Sequence, residues 1–201
     1  MIIALLRRLF PGGTTSVSSA PQPLGAPSSS TAPQPSAPLA PATKFYPQTN
    51  RHTPNISPGR NITPTHIILH HTSGAYAGSV SWCLDPISKV SYHCIVARNG
   101  KRTVLAPPTA RTWHAGVSSW QGRPNCNNYA LGLAWEGDTY TTPLSEDALL
   151  SAVEYLLPIL EDYDIPLKNI LRHEDIAPGR KDDCSPAAQS ALLSALRKVT
   201  T

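Results

Sequence analysis

The chain has 201 residues, with 17 Lys and Arg against 13 Asp and Glu for a formal net charge of +4, and only 15% of its residues are charged. That is room for one domain of ordinary size rather than two large ones. The mild positive excess falls in no long basic run, so nucleic acid is not an expected partner, and no apolar run approaches the roughly 18 residues of a membrane span. Residues 1–10, MIIALLRRLF, place Arg7 and Arg8 after their apolar stretch. A secretory signal places its charge before it. A disordered end, or a weak amphipathic contact with a membrane surface or partner, is the expectation. The 21 prolines are about twice the usual ~5% share. Many of them fall in residues 11–44, a stretch of Pro, Ala and Ser with no charge between Leu9 and Thr43. Such a segment has too little apolar surface to offset the entropy of ordering it, and reads as a disordered, semi-extended linker.

The folded domain is therefore expected over residues 45–201. His66–His70 is a β-branched run suited to a buried strand. Val90–Ala97 and Lys101–Ala106 are strand-like runs flanking Asn99-Gly100, the strongest short hairpin signal. Tyr129–Trp135 reads as another strand. Ser145 is a helix cap ahead of Leu149, Val153, Leu156 and Leu160 at helical spacing, with Pro158 expected to kink that helix or end it early. A short strand, Asn169–Leu171, and a closing helix, Ala187–Val199, follow. This mixture predicts an α/β fold: a single mixed β-sheet with helices packed on its faces.

The four cysteines form no CxxC pair, which excludes a zinc ribbon or a thioredoxin-type centre. Three histidine contexts carry the chemical signal. His70-His71 closes the first buried strand, His114 lies in Trp113-His114-Ala115-Gly116, and His173 opens the segment that ends at Asp183-Cys184. A strand-end imidazole, a loop imidazole and a carboxylate or thiolate are the open three-ligand set of a catalytic zinc ion, which raises the acidity of solvent in its remaining position.

At these residues the sequence resembles the type-2 N-acetylmuramoyl-L-alanine amidases, the family of AmpD-type enzymes, phage amidase lysozymes and peptidoglycan recognition proteins. Trp113–Arg123 with Cys126-Asn127, and Asp175–Lys181, carry the likeness, which extends over roughly residues 65–186. The resemblance implies one zinc ion at the sheet edge and cleavage of the amide between the lactyl group of N-acetylmuramic acid and L-alanine. It assigns His70 and His173 as ligands. Asp183, ten residues after His173, is the expected third, with Cys184 as the alternative, because phage enzymes and recognition proteins use a cysteine.

One departure bears on mechanism. AmpD-type enzymes carry a glutamate, thought to be the general base, where this chain has Ala134. Phage amidases pair a tyrosine preceding a histidine with a lysine near the third ligand, and Tyr92-His93 and Lys181 match that arrangement. Tyr92 is thus expected to orient the attacking water or stabilise the transition state, and Lys181 to stabilise the developing oxyanion. Glu136, one strand repeat beyond Ala134, is the alternative base. Trp113 and His114 are expected to line the groove and contact sugar or peptide. His71, Lys89 and Asn125 replace residues by which AmpD-type enzymes hold an anhydro sugar. The expected partner is peptidoglycan or its muropeptides, met by a monomeric wall-lytic enzyme at the envelope. The alternatives are a cytoplasmic recycling amidase and a non-catalytic peptidoglycan receptor.

Overall fold

A computed structural model describes residues 45–200 of the chain; the expectations for residues 1–44 lie outside the described residues. Its centre is a six-stranded mixed sheet. β3 (His66–His71) and β9 (Ala130–Trp135) lie side by side at its heart, parallel and in register from His66 opposite Ala130 to His71 opposite Trp135. β10 (Ile170–Arg172) runs parallel along the other side of β3, Arg172 opposite Leu69. Beyond β9 come β4 (Cys94–Val96), its antiparallel partner β5 (Arg102–Val104), and the edge strand β1 (Gln48–Asn50). β2 (Ile56–Asn61) with β6 (Ala110–Thr112), and β7 (Ser119–Trp120) with β8 (Arg123–Pro124), form two small ribbons.

The β4–β5 hairpin turns where Asn99-Gly100 predicts. Gly100 has φ +80°, and a Cβ there would stand 2.2 Å from the Tyr46 ring, so only glycine fits. The paired strands are shorter than the two runs read from sequence, because the chain before His93 leaves the ladder: the Ser91 N–H donates to the Trp113 carbonyl.

Alternation along the strands divides the sheet into unlike faces. One face presents Ile67, Leu69, Cys94, Val96, Leu131, Leu133, Trp135 and Ile170 to α2 (Glu146–Asp162) and α4 (Pro186–Thr200). Burying each of the large side chains contributes about 1.5–3 kcal/mol. The Ser145 hydroxyl caps α2 by accepting from Ala148 N–H, and Glu146 and Asp147 favour its positive end. Pro158 does not end α2, which continues to Asp162. Its missing N–H and the Glu154 carbonyl it would have served lie on the half-exposed side, where water can satisfy that carbonyl, while Leu156, Leu157, Ile159 and Leu160 anchor the turn in the core.

The opposite face carries Ile68, His70, Ile95, Ala130, Gly132, Ala134 and Leu171. α1 (Tyr76–Leu84) covers its Ile95–Ala134 side through Val80 and Cys83, and residues 115–129 with α3 (His173–Ile176) cover the other. Among the described residues no helix is long and apolar enough to cross a membrane.

Candidate metal centre

Parallel pairing builds the centre. His70 projects from the end of β3 onto the small-residue face and is fully buried. Because β10 lies in register beside β3, the residue after Arg172 falls next to His70, and that residue is His173, the first of α3. Arg172 fixes this corner: its N–H and guanidinium both bond Asp175, and the guanidinium also pairs with Glu174. Asp183 returns on the following loop, where its carbonyl accepts from the Glu174 N–H at 3.0 Å.

The side chains converge. His70 Nδ1 stands 3.1 Å from His173 Nδ1 and 3.0 Å from Asp183 Oδ2, and His173 Nδ1 stands 3.0 Å from Asp183 Oδ1. All three residues are buried, and their ligand atoms lie within 4.8 Å of one another. His173 Nε2 faces the Ala115 carbonyl at 3.1 Å. A carbonyl has no proton to give, so Nε2 carries the hydrogen and the Nδ1 of the neutral ring is a lone pair aimed at the cluster. Burial, then the neighbouring His173, pulls the His70 pKa down to about 4. Burial alone would raise Asp183, but the His173 and His70 imidazoles, once protonated and donating to it, outweigh burial and hold the carboxyl well below its ordinary range. Two nitrogen lone pairs and a carboxylate pressed together without intervening protons repel one another, and a bound cation is what reconciles them. The residues fit a metal ion.

The cluster forms the inner wall of a cavity of about 620 Å³, lined also by Trp82, Lys89, Tyr92, Trp113 and Lys181. Tyr92 packs against His70 with ring centroids 5.1 Å apart. Burial raises the Tyr92 pKa, so its hydroxyl keeps its proton at neutral pH. Lys181 is exposed on the loop before Asp183. Ala134 sits directly opposite His70 on β9, wholly buried among Val80, Cys83 and Ile95, so the neighbourhood is apolar and closed.

Several expectations change. Cys184 is not among the converging ligands: it turns away from Asp183 into the core beneath α4, where burial pushes its thiol up to about 12. Successive side chains diverge, and the residue ten after His173, not the one eleven after it, meets the histidines. Glu136 does not line the cavity; its carboxylate accepts from the Tyr76 N–H at 3.0 Å and the Arg98 N–H at 2.9 Å, capping α1 and the β4–β5 turn. His114 borders the cavity but is buried behind His70, its ring nitrogens directed at His70 Nε2 and the Ala130 carbonyl, so neither is free for substrate. Trp113 does line the cavity, its indole N–H bonded to Ser57 and Lys89 lying 5.9 Å above its ring. Asn125 points instead to Arg111.

Three residues bear on the site in ways that were not read from the sequence. Asn127 accepts the N–H groups of His114 and Ala115, tying the Cys126-Asn127 turn to the Trp-His-Ala-Gly segment. Arg180 spans the Ala115 and Val117 carbonyls, tying that segment to the Asp183 loop. Trp82, 55% exposed on α1, borders the cavity from outside both motifs.

Comparison with known proteins supplies the context for this geometry. Residues 60–186 match the family model described as N-acetylmuramoyl-L-alanine amidase. The chain is 35% identical over 153 residues, 67% of its own length and 82% of the relative's, to the 1,6-anhydro-N-acetylmuramyl-L-alanine amidase AmpD of Escherichia coli K12. Its fold is similar to that of a selenomethionine AmpD crystal structure, with a TM-score of 0.63 and 26% identity over 75% of this chain and 93% of that one. It is also similar to Escherichia coli AmiD, solved in complex with anhydro-N-acetylmuramic acid-L-Ala-D-γ-Glu-L-Lys. There the TM-score is 0.59, with 25% identity over 70% of this chain and 60% of that one.

Proposed function

The chain belongs to the N-acetylmuramoyl-L-alanine amidase family and acts on peptidoglycan, and we propose that it does so as a zinc hydrolase, with His70, His173 and Asp183 as the ligands. The observation that carries this reading is the convergence of two imidazole lone pairs and one carboxylate at the wall of an open cavity. Two nitrogens and one oxygen, with one side open, are the donor set of catalytic zinc. A zinc ion held there would supply Lewis acidity, which lowers the pKa of bound solvent toward neutrality and polarises a carbonyl.

The chain's own residues do the rest. Ala134 cannot accept a proton, and α1 closes over its position, so no carboxylate works there. Tyr92, beside His70 and protonated, orients the attacking water and donates to charge developing in the transition state. Lys181, at the cavity's edge, stabilises the oxyanion. Trp113 offers an aromatic face to sugar or peptide, with Lys89 alongside.

The substrate is proposed to be polymeric wall. The uncharged Pro-, Ala- and Ser-rich composition of residues 11–43 suits a tether to the envelope, and His71, Lys89 and Asn125 replace the residues by which AmpD-type enzymes hold an anhydro sugar. The likeness to AmpD over most of its length favours a second reading, turnover of small anhydro-muropeptides in the cytoplasm. Metal analysis of purified protein, with mass spectrometry of products from sacculi and from an anhydro-muropeptide, tests both. One zinc per chain and release of peptides with a free N-terminal L-alanine from sacculi is the expected outcome. A protein that takes up no zinc overturns the mechanism, and turnover of the small fragment alone transfers the function to recycling.

A further inference from the structure

His173 and His70 receive their orientation from different kinds of partner. Behind His173 is a backbone carbonyl, that of Ala115; behind His70 is another imidazole. His114 Nε2 stands 3.1 Å from the Ala130 carbonyl, and its Nδ1 stands 3.0 Å from His70 Nε2. The carbonyl can only accept, so His114 carries its hydrogen on Nε2, and Nδ1 of the neutral ring is an acceptor. His70 must then donate from Nε2, which leaves its Nδ1 as a lone pair facing Asp183 and His173.

The ring of His114 is held so that this direction cannot reverse. It lies against β9 where the strand has no side chain: a Cβ on Gly132 would stand 2.6 Å from His114 Cγ and 2.8 Å from its Nδ1. The Gly132 N–H donates to His93 Nδ1 at 3.0 Å, and His93 in turn bonds the Ala110 carbonyl from Nε2 at 2.9 Å. Asn127 holds the His114 backbone N–H at 3.2 Å. The residue is 6% exposed, and both ring nitrogens already face protein partners.

We propose that His114 is a positioning residue: its Nδ1 acceptor holds His70 as the Nε2–H tautomer and so aims the His70 Nδ1 lone pair at the metal position. The inference rests on the reading of His70, His173 and Asp183 as the zinc site. It assigns to His114 a task that neither substrate contact nor loop shape requires, and it explains why Gly132 occupies the middle of an otherwise fully packed strand.

The test compares zinc affinity, by chelator competition on the full chain, for the wild type, His114→Leu and His114→Asn. Leucine fills the space without an acceptor, whereas the asparagine oxygen replaces Nδ1. The expected result is affinity about 10–100-fold weaker for His114→Leu, with most of the loss restored in His114→Asn. Zinc binding by His114→Leu within twofold of the wild type overturns the proposal, as does an asparagine variant no better than leucine. Should the leucine variant fail to fold, nitrogen-15 spectra of the histidines in the zinc-free wild type decide: an Nε2–H tautomer at His70 supports the proposal and an Nδ1–H tautomer sinks it. If the wild type itself takes no zinc, the metal reading fails, while the tautomer of His70 still judges His114 separately.

Discussion

The two faces of the central sheet are built from the same strands to opposite ends. Along β9 the sequence alternates Ala130, Leu131, Gly132, Leu133, Ala134, Trp135, and all six residues are buried. The large members face α2 and α4 and form the main core. The small members face the metal centre, and their size makes room for rings: the His114 imidazole lies over Gly132, and Tyr92 packs beside Ala134 in the cluster under α1. One face turns buried area into stability; the other spends its space on oriented nitrogen atoms.

The largest effects are expected where the small face meets the cavity. Tyr92→Phe should lower kcat on sacculi by about 10²-fold or more, as loss of a positioned proton donor does, and Lys181→Met by about 10²-fold, both with zinc content unchanged. Full turnover in both variants would remove them from the mechanism. A middling effect should appear in acid. His70 and His93 have folded pKa values lowered to about 4, against an ordinary value near 6.5, with burial the main cause in each. Between those values the unfolded chain binds more protons than the folded one, so the stability of the metal-free protein should fall as pH drops from about 6.5 to 4. The slope is on the order of 1 kcal/mol per pH unit for each imidazole. Asp183 works in the other window: its depressed pKa contributes stability above about 4 that is lost only below it. Thermal melts across this range check the sign, and a flat profile would mean the imidazoles titrate alike in both states. The smallest effect belongs to Glu136→Gln. It should leave activity nearly intact and cost about 1 kcal/mol, because one of two backbone N–H groups loses its acceptor. A loss of several hundredfold in rate would restore Glu136 as the base.

Much of the main core was legible. β9 is a continuous apolar run and β3 is apolar through Ile67–Leu69, as strands buried on both sides are, and the Asn-Gly turn and the Ser145 cap lie where they were read. α1 was not, because Gly78, Ser79 and Ser81 weaken its helical pattern and its burial is confined to Val80 and Cys83. β2 was equally hidden by its Pro-Gly pair, which marks a turn more strongly than an edge strand.

For the site, residue type marked three histidine contexts and the Asp183-Cys184 pair, since few side chains bind a metal, and the family resemblance chose His70 and His173 among the histidines. Which of that pair faces the histidines, whether Glu136 reaches the cavity and what stands behind His70 are questions of direction. Direction is decided by which way a loop turns and what packs against it. Parallel pairing of β3 with β10 brings His173 to His70 across more than a hundred residues, and packing of the Trp-His-Ala-Gly segment on β9 sets the ring of His114 against the strand position that lacks a side chain.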